Sequence, residues 1–351
     1  MRKFDFVIGN PAYQAETLGE NDTYAPPVYH LFLEEAYKIG DKVEMVHPAR
    51  FLFNAGSTPK QWNQKMLNDS HFKVLRYEAE PRKLFPNTNI NGGIVISYHD
   101  IKKEYGAIGT FTAYSELNSI LQKVRSASSF ISMSDIVISR TAYRMTDTMH
   151  KEHPEALSQL SDGHPYDMST NIFERLPQIF HNEKPNDNYD YIQIFGRENN
   201  DRTTKWVRRD YISAPSNLDK YKVLLSSADG ASGTVGKPIP ARITGMPSIG
   251  TKGMGNTESF ISIGYFDKEE YAVHALKYVK SRFSRVLLGV LKITQHITPD
   301  KWLYVPQQDF TSSSDINWNT SIANIDRQLY KKYGLSQEEI DFIETHVKEM
   351  T

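Results

Sequence analysis

The sequence predicts an α/β protein: strands alternating with helices through about residue 100, then a less regular mixed α/β stretch, then a helical tail. Three observations carry that expectation. Short β-branched or aromatic runs recur four times in the first hundred residues, helix-spaced apolar patterns separate the earlier ones, and two helix patterns flank Gly334 near the carboxyl end.

Taken in order, residues 4–8 (Phe-Asp-Phe-Val-Ile), 43–47, 72–77 and 93–98 read as strands, because such side chains suit a pleated, half-buried surface. Tyr29, Leu33, Ala36 and Tyr37 recur at helical spacing behind the Pro26-Pro27 start signal, and residues 59–67 form a shorter helix pattern with Trp62 and Met66. Strands separated by helices imply a largely parallel sheet. Beyond Ile101, residues 116–125 read as helix, whereas 145–205, rich in Asp, Asn, His and Pro, reads mostly as loop with short elements. Two Gly/Ser-rich stretches, 226–237 and 245–256, are framed by expected strands at 221–225 and 259–263. An apolar stripe from Val273 to Val290 predicts one long helix over 268–291, whose basic other face reads as solvated. In the tail, Ser336 and Glu339 have the spacing of a capping box. The expected domains are residues 1–105, 106–320 and 321–351.

Composition narrows the function classes. The 351 residues are 39% hydrophobic and 24% charged, ordinary for a globular chain of two or more domains. With no cysteine, a disulfide framework, a thiolate zinc site and a cysteine nucleophile are all excluded, which fits a reducing cytosol. No signal-peptide pattern is visible and no apolar run nears the roughly 18 residues of a membrane helix, so the expectation is a soluble, cytoplasmic protein. The formal net charge is −1, so contact with nucleic acid must come from local basic patches.

Asn10-Pro11-Ala12-Tyr13 directly follows the first strand. One reading is a strand-ending turn, since Asn and Pro favour turns. The other is a site, because ligands of open α/β sheets sit at the carboxyl ends of strands. Chemically, the tetrad suits an adenine amine. That nitrogen is a weak nucleophile, its lone pair delocalised into the ring. Two acceptors on its two hydrogens, the Asn10 side-chain oxygen and the Pro11 carbonyl, hold it and favour the charge that develops during attack. Tyr13 could stack on a base flipped out of a duplex.

The tetrad and its flanks resemble the N6-adenine DNA methyltransferases of restriction–modification systems, whose catalytic motif Asn/Asp-Pro-Pro-Tyr/Phe follows a strand much like "FDFVIG". "PPVYHLFLEEAYKIGDKVEMVHPARFLFNAG" at 26–56 resembles the helix, strand and Pro-containing turn after that motif, and "RKLFPNTNINGGIVIS" at 82–97 the segment supplying a second base-stacking aromatic, here Phe85. "SFISIGYF", "KWLYVPQQDFTSSSDINW" and "IDRQLYKKYGLSQEEIDFIETHVKEM" resemble the target-recognition region and tail of the adenine methylases of large type II, often fused (IIG-like), enzymes. The resemblance implies a partial Rossmann-like methyltransferase sheet over 1–105, a target-recognition domain over 106–320 and a helical tail. Its implied catalytic residues are Asn10, Pro11 and Tyr13, its stacking residues Tyr13 and Phe85, its cofactor S-adenosyl-L-methionine and its partner double-stranded DNA.

Two departures from the family pattern matter. Ala12 replaces the second proline, which implies looser loop geometry with the chemistry kept. Second, the glycine-containing strand–helix turn and acidic residue that bind the methyl donor precede the motif in the family, and nine residues precede Asn10 here. The expectation is a fragment or split half that binds the donor poorly and is inactive alone. Its first strand is then an exposed edge, to be covered by a polypeptide carrying the other half or by self-association.

The remaining candidates have two readings each. "GASGTVGKP" at 230–238 resembles a phosphate-binding loop with one residue too many between its glycines and Pro238 where Ser or Thr belongs. Ser226, Ser227, Lys237 and Lys252 stand on loops that reach DNA or simply connect strands. Arg197, Arg202, Lys205, Arg208 and Arg209, with Trp206 among them, form the densest basic cluster: a phosphate-contact patch or, diluted by Glu198, Asp201 and Asp210, a solvated face. His150 and His153 lack a companion carboxylate in an evident metal-binding pattern, and no nuclease signature is visible. The expected function is site-specific adenine methylation of DNA; the alternative is a non-catalytic DNA-binding specificity module.

Overall fold

In a computed structural model, which describes residues 4–15, 25–54, 56–86, 90, 92–229, 235, 239–292 and 295–350, the alternating segments of the first hundred residues form one four-stranded sheet. Its elements are β1 (Phe4–Gly9), α1 (Tyr29–Ile39), β2 (Gly40–Pro48), α2 (Lys60–Asn68), β3 (Phe72–Glu78) and β4 (Ile94–Asp100). They belong to the first of two units, Met1–Asn118 and Ser119–Thr351, and α3 (Ser115–Ser126) crosses the boundary.

The sheet corrects the expectation of largely parallel strands. Its order is β1-β2-β4-β3; β1 and β2 pair in parallel, while β4 runs antiparallel to both β2 and β3. The cause is the connection. A parallel pair needs a long crossover, and α1 provides one between β1 and β2. Between β3 and β4 the described residues contribute a short 3₁₀ turn at Pro81–Lys83 and no crossover helix, and β4 pairs antiparallel to β3.

One face of this sheet is buried. Val43, Met45, Phe72 and Val95 pack with Tyr29, Leu33, Trp62 and Met66 from α1 and α2, and Val7 and Tyr13 lie against the same cluster. Gly40 is needed at the start of β2, because a Cβ there would come within 2.7 Å of a Val7 methyl and push β1 away. The opposite face of β1 is open: Phe4, Phe6 and Ile8 are 54%, 56% and 74% exposed on a strand that, among the described residues, is paired along one edge. The Lys42 ammonium, opposite Phe6 in register, sits 4.7 Å from that ring.

The second unit contains β5 (Val137–Ile138), β6 (Arg144–Met145), α4 (Asp147–Glu152), α5 (Ala156–Gln159), α6 (Ile172–Arg175), β7 (Tyr191–Glu198), β8 (Asp201–Arg208), β9 (Ile212–Ser213), β10 (Tyr221–Ser226), β11 (Ser248–Gly250), β12 (Met254–Asn256), β13 (Phe260–Phe266), α7 (Glu269–Lys280), α8 (Arg282–Leu291), α9 (Ile322–Lys332) and α10 (Gln337–His346). Two larger sheets organise it, β11-β10-β13-β5 and β12-β7-β8, beside the two-stranded β6-β9. The β7–β8 hairpin lies inside the stretch expected to be loop. Its two-residue turn, Asn199-Asn200, has φ of 51° and 70°, the left-handed pair that Asn tolerates and that matches strand twist. The single helix expected over 268–291 is two helices. Ser281 caps α8 by accepting from Ser284 N–H, while the Asp326 carboxylate accepts from the Arg282 and Phe283 N–H groups, which satisfies a helix start in mid-stripe. Gly334 separates α9 from α10, and Ser336 with Glu339 forms the expected capping box.

At the carboxyl end of β2, His47 is fully buried, stacked on Tyr29 at 5.4 Å. Its Nδ1 faces the Pro48 carbonyl at 3.2 Å and must carry the proton, so Nε2 accepts from the Ser97 hydroxyl at 2.7 Å. Burial holds its pKa down to about 4, against an ordinary value of 6.5. The unfolded chain therefore binds the proton that the folded chain refuses. Its contribution is intact above pH 6.5 and is lost as pH falls toward about 4, a swing of about 3 kcal/mol. Amide exchange in β2 and β4 is expected to speed up on acidification through this window, and a folded His47→Gln variant is expected to lose most of that pH dependence.

Candidate active site and nucleic-acid interface

The strand register decides what meets the tetrad. Gly9, the last residue of β1, pairs with Met45 of β2, and both Pro48 and Glu78 pair with Ile94 of β4. The carboxyl ends of β1, β2 and β3 thus lie at one end of the sheet with the amino end of β4. Asn10-Pro11-Ala12-Tyr13, the turn after β2 and the 79–93 connection with Phe85 share that end. At about 4.8 Å per strand, two or three strand steps separate the tetrad from that connection, about 10–14 Å.

Local bonds set the tetrad's exit. The Tyr13 carbonyl accepts from Val28 N–H at 3.1 Å and Ala15 N–H donates to the Pro26 carbonyl at 2.9 Å, so the chain leaving the tetrad is tied to the segment that starts α1. Asn10 is exposed. Tyr13 is half-buried on the sheet's core, and its hydroxyl is buried without a hydrogen bond of ordinary geometry. Burial raises the Tyr13 pKa, and the neighbouring Asn10 side chain offsets part of that rise.

Phe85 is half-buried, its N–H donating to the Pro81 carbonyl at 2.9 Å. Gly93, with φ +84°, closes this connection where a Cβ would strike the Glu78 carbonyl at 2.6 Å. The same end of the sheet carries an aromatic group that sequence reasoning missed. Phe53, Tyr77 and Phe111 meet edge to face at 5.4–5.5 Å, with Phe53 39% exposed. No periodicity signals it, because the three rings come from a 3₁₀ turn, a strand end and a loop.

In the second unit the basic cluster separates into two kinds of residue. Lys205 is bound to Glu198 at 2.9 Å and to Asn182 at 2.5 Å, and Arg209 to Asp219 at 2.5 Å. Arg208 is buried against Glu152 at 2.6 Å and Asp210 at 2.5 Å, its guanidinium 3.6 Å from the Tyr189 ring centre and 4.3 Å from that of Tyr211. Those carboxylates, Asp210 first, raise its pKa further. Three of the expected DNA contacts thus have protein partners. Arg197 and Arg202 make no ion pair among the described residues.

Lys252 is exposed, its ammonium 5.4 Å from the Tyr221 ring centre. Lys237 and most of the 230–238 stretch lie outside the described residues. His150 Nε2 faces the Pro165 carbonyl at 2.7 Å, and His153 lies between Glu155 and the Tyr211 hydroxyl. Among the described residues no His, Cys, Asp and Glu group could hold a metal, and no helix is long and apolar enough to cross a membrane.

Arg208→Met is expected to destabilise the second unit by about 1–3 kcal/mol, the range for breaking a partly exposed ion network, with no change in the salt dependence of any DNA binding. Urea unfolding followed by exchange in β8, with binding titrations at several salt concentrations, checks both.

Among curated proteins none matches the chain. The solved structure of the type IIG restriction endonuclease BpuSI is similar at 10% identity with a TM-score of 0.30, over 86% of this chain and 44% of that one; this chain thus spans less than half of that enzyme. Residues 1–85, the span that runs from β1 and the tetrad to Phe85, match the model of the family described as Eco57I restriction-modification methylase.

Proposed function

We propose that the protein is the catalytic and target-recognising part of a restriction–modification DNA methyltransferase that acts on the N6 amine of adenine. One observation carries the reading: Asn10-Pro11-Ala12-Tyr13 stands at the carboxyl end of β1, at the sheet end that also holds the Phe85 connection, within the span that matches a restriction–modification methylase family. The Asn10 amide oxygen and Pro11 carbonyl accept the two amine hydrogens, aligning the nitrogen for attack. The exposed side of Tyr13, with Phe85, holds the flipped base, which offsets the stacking lost from the duplex.

S-adenosyl-L-methionine supplies the methyl group in this reading, but the described residues do not form its site. No glycine-containing strand–helix turn followed by an acidic strand end adjoins the tetrad, and the outer edge of β1 is unpaired beside exposed Phe4, Phe6 and Ile8. A further strand added to that edge, from the same polypeptide or another, is the source we assign for the donor site. A DNA-binding specificity module without catalysis is the second reading, favoured by the cationic β7–β8 hairpin, which is independent of the tetrad.

The test is transfer of labelled methyl from S-adenosyl-L-methionine to duplex DNA by the 351-residue chain plus the polypeptide encoded next to it. Asn10→Ala is expected to lower the rate about 10²–10³-fold, the cost of one lost oriented acceptor, with DNA binding retained. Transfer unaltered in that variant overturns the role of Asn10. Duplex binding with no transfer under any combination selects the specificity module.

A further inference from the structure

Arg197 and Arg202 are direct cross-strand partners of the β7–β8 hairpin, so both side chains project from the same face. That face also carries Phe195 and Trp206, whereas Ile192, Ile194 and Val207 point the other way into the unit's core. Both guanidiniums lie over one buried ring, Phe260, at 5.7 Å and 5.6 Å from its centre. Arg197 donates to the Asn200 carbonyl at 2.6 Å; Arg202 donates to the Met246 carbonyl at 2.9 Å and reaches the Ser226 hydroxyl at 3.4 Å.

The arrangement is unfavourable by itself. Like charges opposite one another on a ladder repel, and the ring returns only about 0.5–1 kcal/mol per cation at an exposed site. Burial, and then Arg197, lowers the pKa of Arg202. Two acids of the adjoining strands are engaged elsewhere, Glu198 with Lys205 and Asp229 with Arg242, and the exposed Asp201 makes no ion pair with either arginine among the described residues. Each guanidinium carries five N–H donors, and the three bonds above leave most of them available.

We infer that Arg197 and Arg202 together hold one backbone phosphate of DNA over Phe260, an inference that rests on the DNA-binding part of the proposed function. A phosphodiester carries one negative charge shared over two unesterified oxygens, each able to accept more than one N–H, and a nucleic-acid backbone presents such groups at its surface, so one of them serves two guanidiniums set side by side. The adjoining Phe195 and Trp206 rings, with the Lys184 ammonium 5.9 Å from the Trp206 ring centre, continue a cationic and aromatic strip of the kind that follows a nucleic-acid strand. This contact positions the duplex and reads no sequence.

The experiment titrates the full chain with duplex DNA at a series of salt concentrations. Arg197→Ala/Arg202→Ala is expected to reduce the slope of log affinity against log salt by about 1, and to weaken target and random sequences equally. Arg209→Ala, which removes a cation already paired with Asp219, is expected to leave the slope unchanged. Arg197→Lys/Arg202→Lys keeps both charges and is expected to retain the slope with weaker binding, which guards against misfolding of the alanine variant. A wild-type slope in the alanine double variant overturns the site and leaves the DNA reading standing. No duplex binding by wild type overturns both. Inorganic phosphate that binds wild type but not the alanine variant, with DNA affinity unmoved, makes this a free-anion site and overturns the backbone assignment.

Discussion

Parallel pairing of β1 with β2 is the constraint on which the first unit depends. It places the end of β1 beside the end of β2, and the reversal at β4 brings the close of β3 to the same level. Three loops then converge at one end although Asn10 and Phe85 stand far apart in sequence. Were β1 to slip by one residue, Val7 would leave the core and Phe6 would enter it, and the tetrad would shift relative to every other loop. The buried face, with Gly40 admitting Val7 and His47 locked to Ser97, holds that register.

Among the described residues the same sheet ends at β1. A strand paired along one edge, with three large apolar side chains exposed, is a site for another strand to add to. The tetrad lies at the end of this strand. In the proposed function whatever completes the edge lies beside Asn10, so completion of the sheet and completion of the active site are a single event.

Charge in the second unit follows a related economy. Most of the cations in the 197–209 cluster are neutralised within the protein, where they tie α4, β8 and the following turn into one network around Arg208. Stability there comes from pairing, and the pairing removes these groups from the field that a polyanion senses. Arg197 and Arg202 make no ion pair among the described residues, although Arg208 projects from the same face of the hairpin; the difference is the carboxylates that α4 and the turn after β8 bring to Arg208. The segments packed nearby, rather than residue type or strand face, separate the ion-paired cations from these two arginines.

Much of this was legible in the sequence. Local chemistry determined α1, the four strands of the first hundred residues, the tail helices and the Ser336 capping box, because propensity, period and caps act over a few residues. The tetrad's place at a strand end was equally plain. Tertiary structure alone decided strand direction, since parallel and antiparallel strands share one side-chain pattern, and it split the 268–291 helix, since the capping carboxylate of Asp326 comes from a distant segment. It also decided which basic residues remain free. Ion pairing depends on what the fold brings within about 4 Å, and a linear sequence holds no such distances.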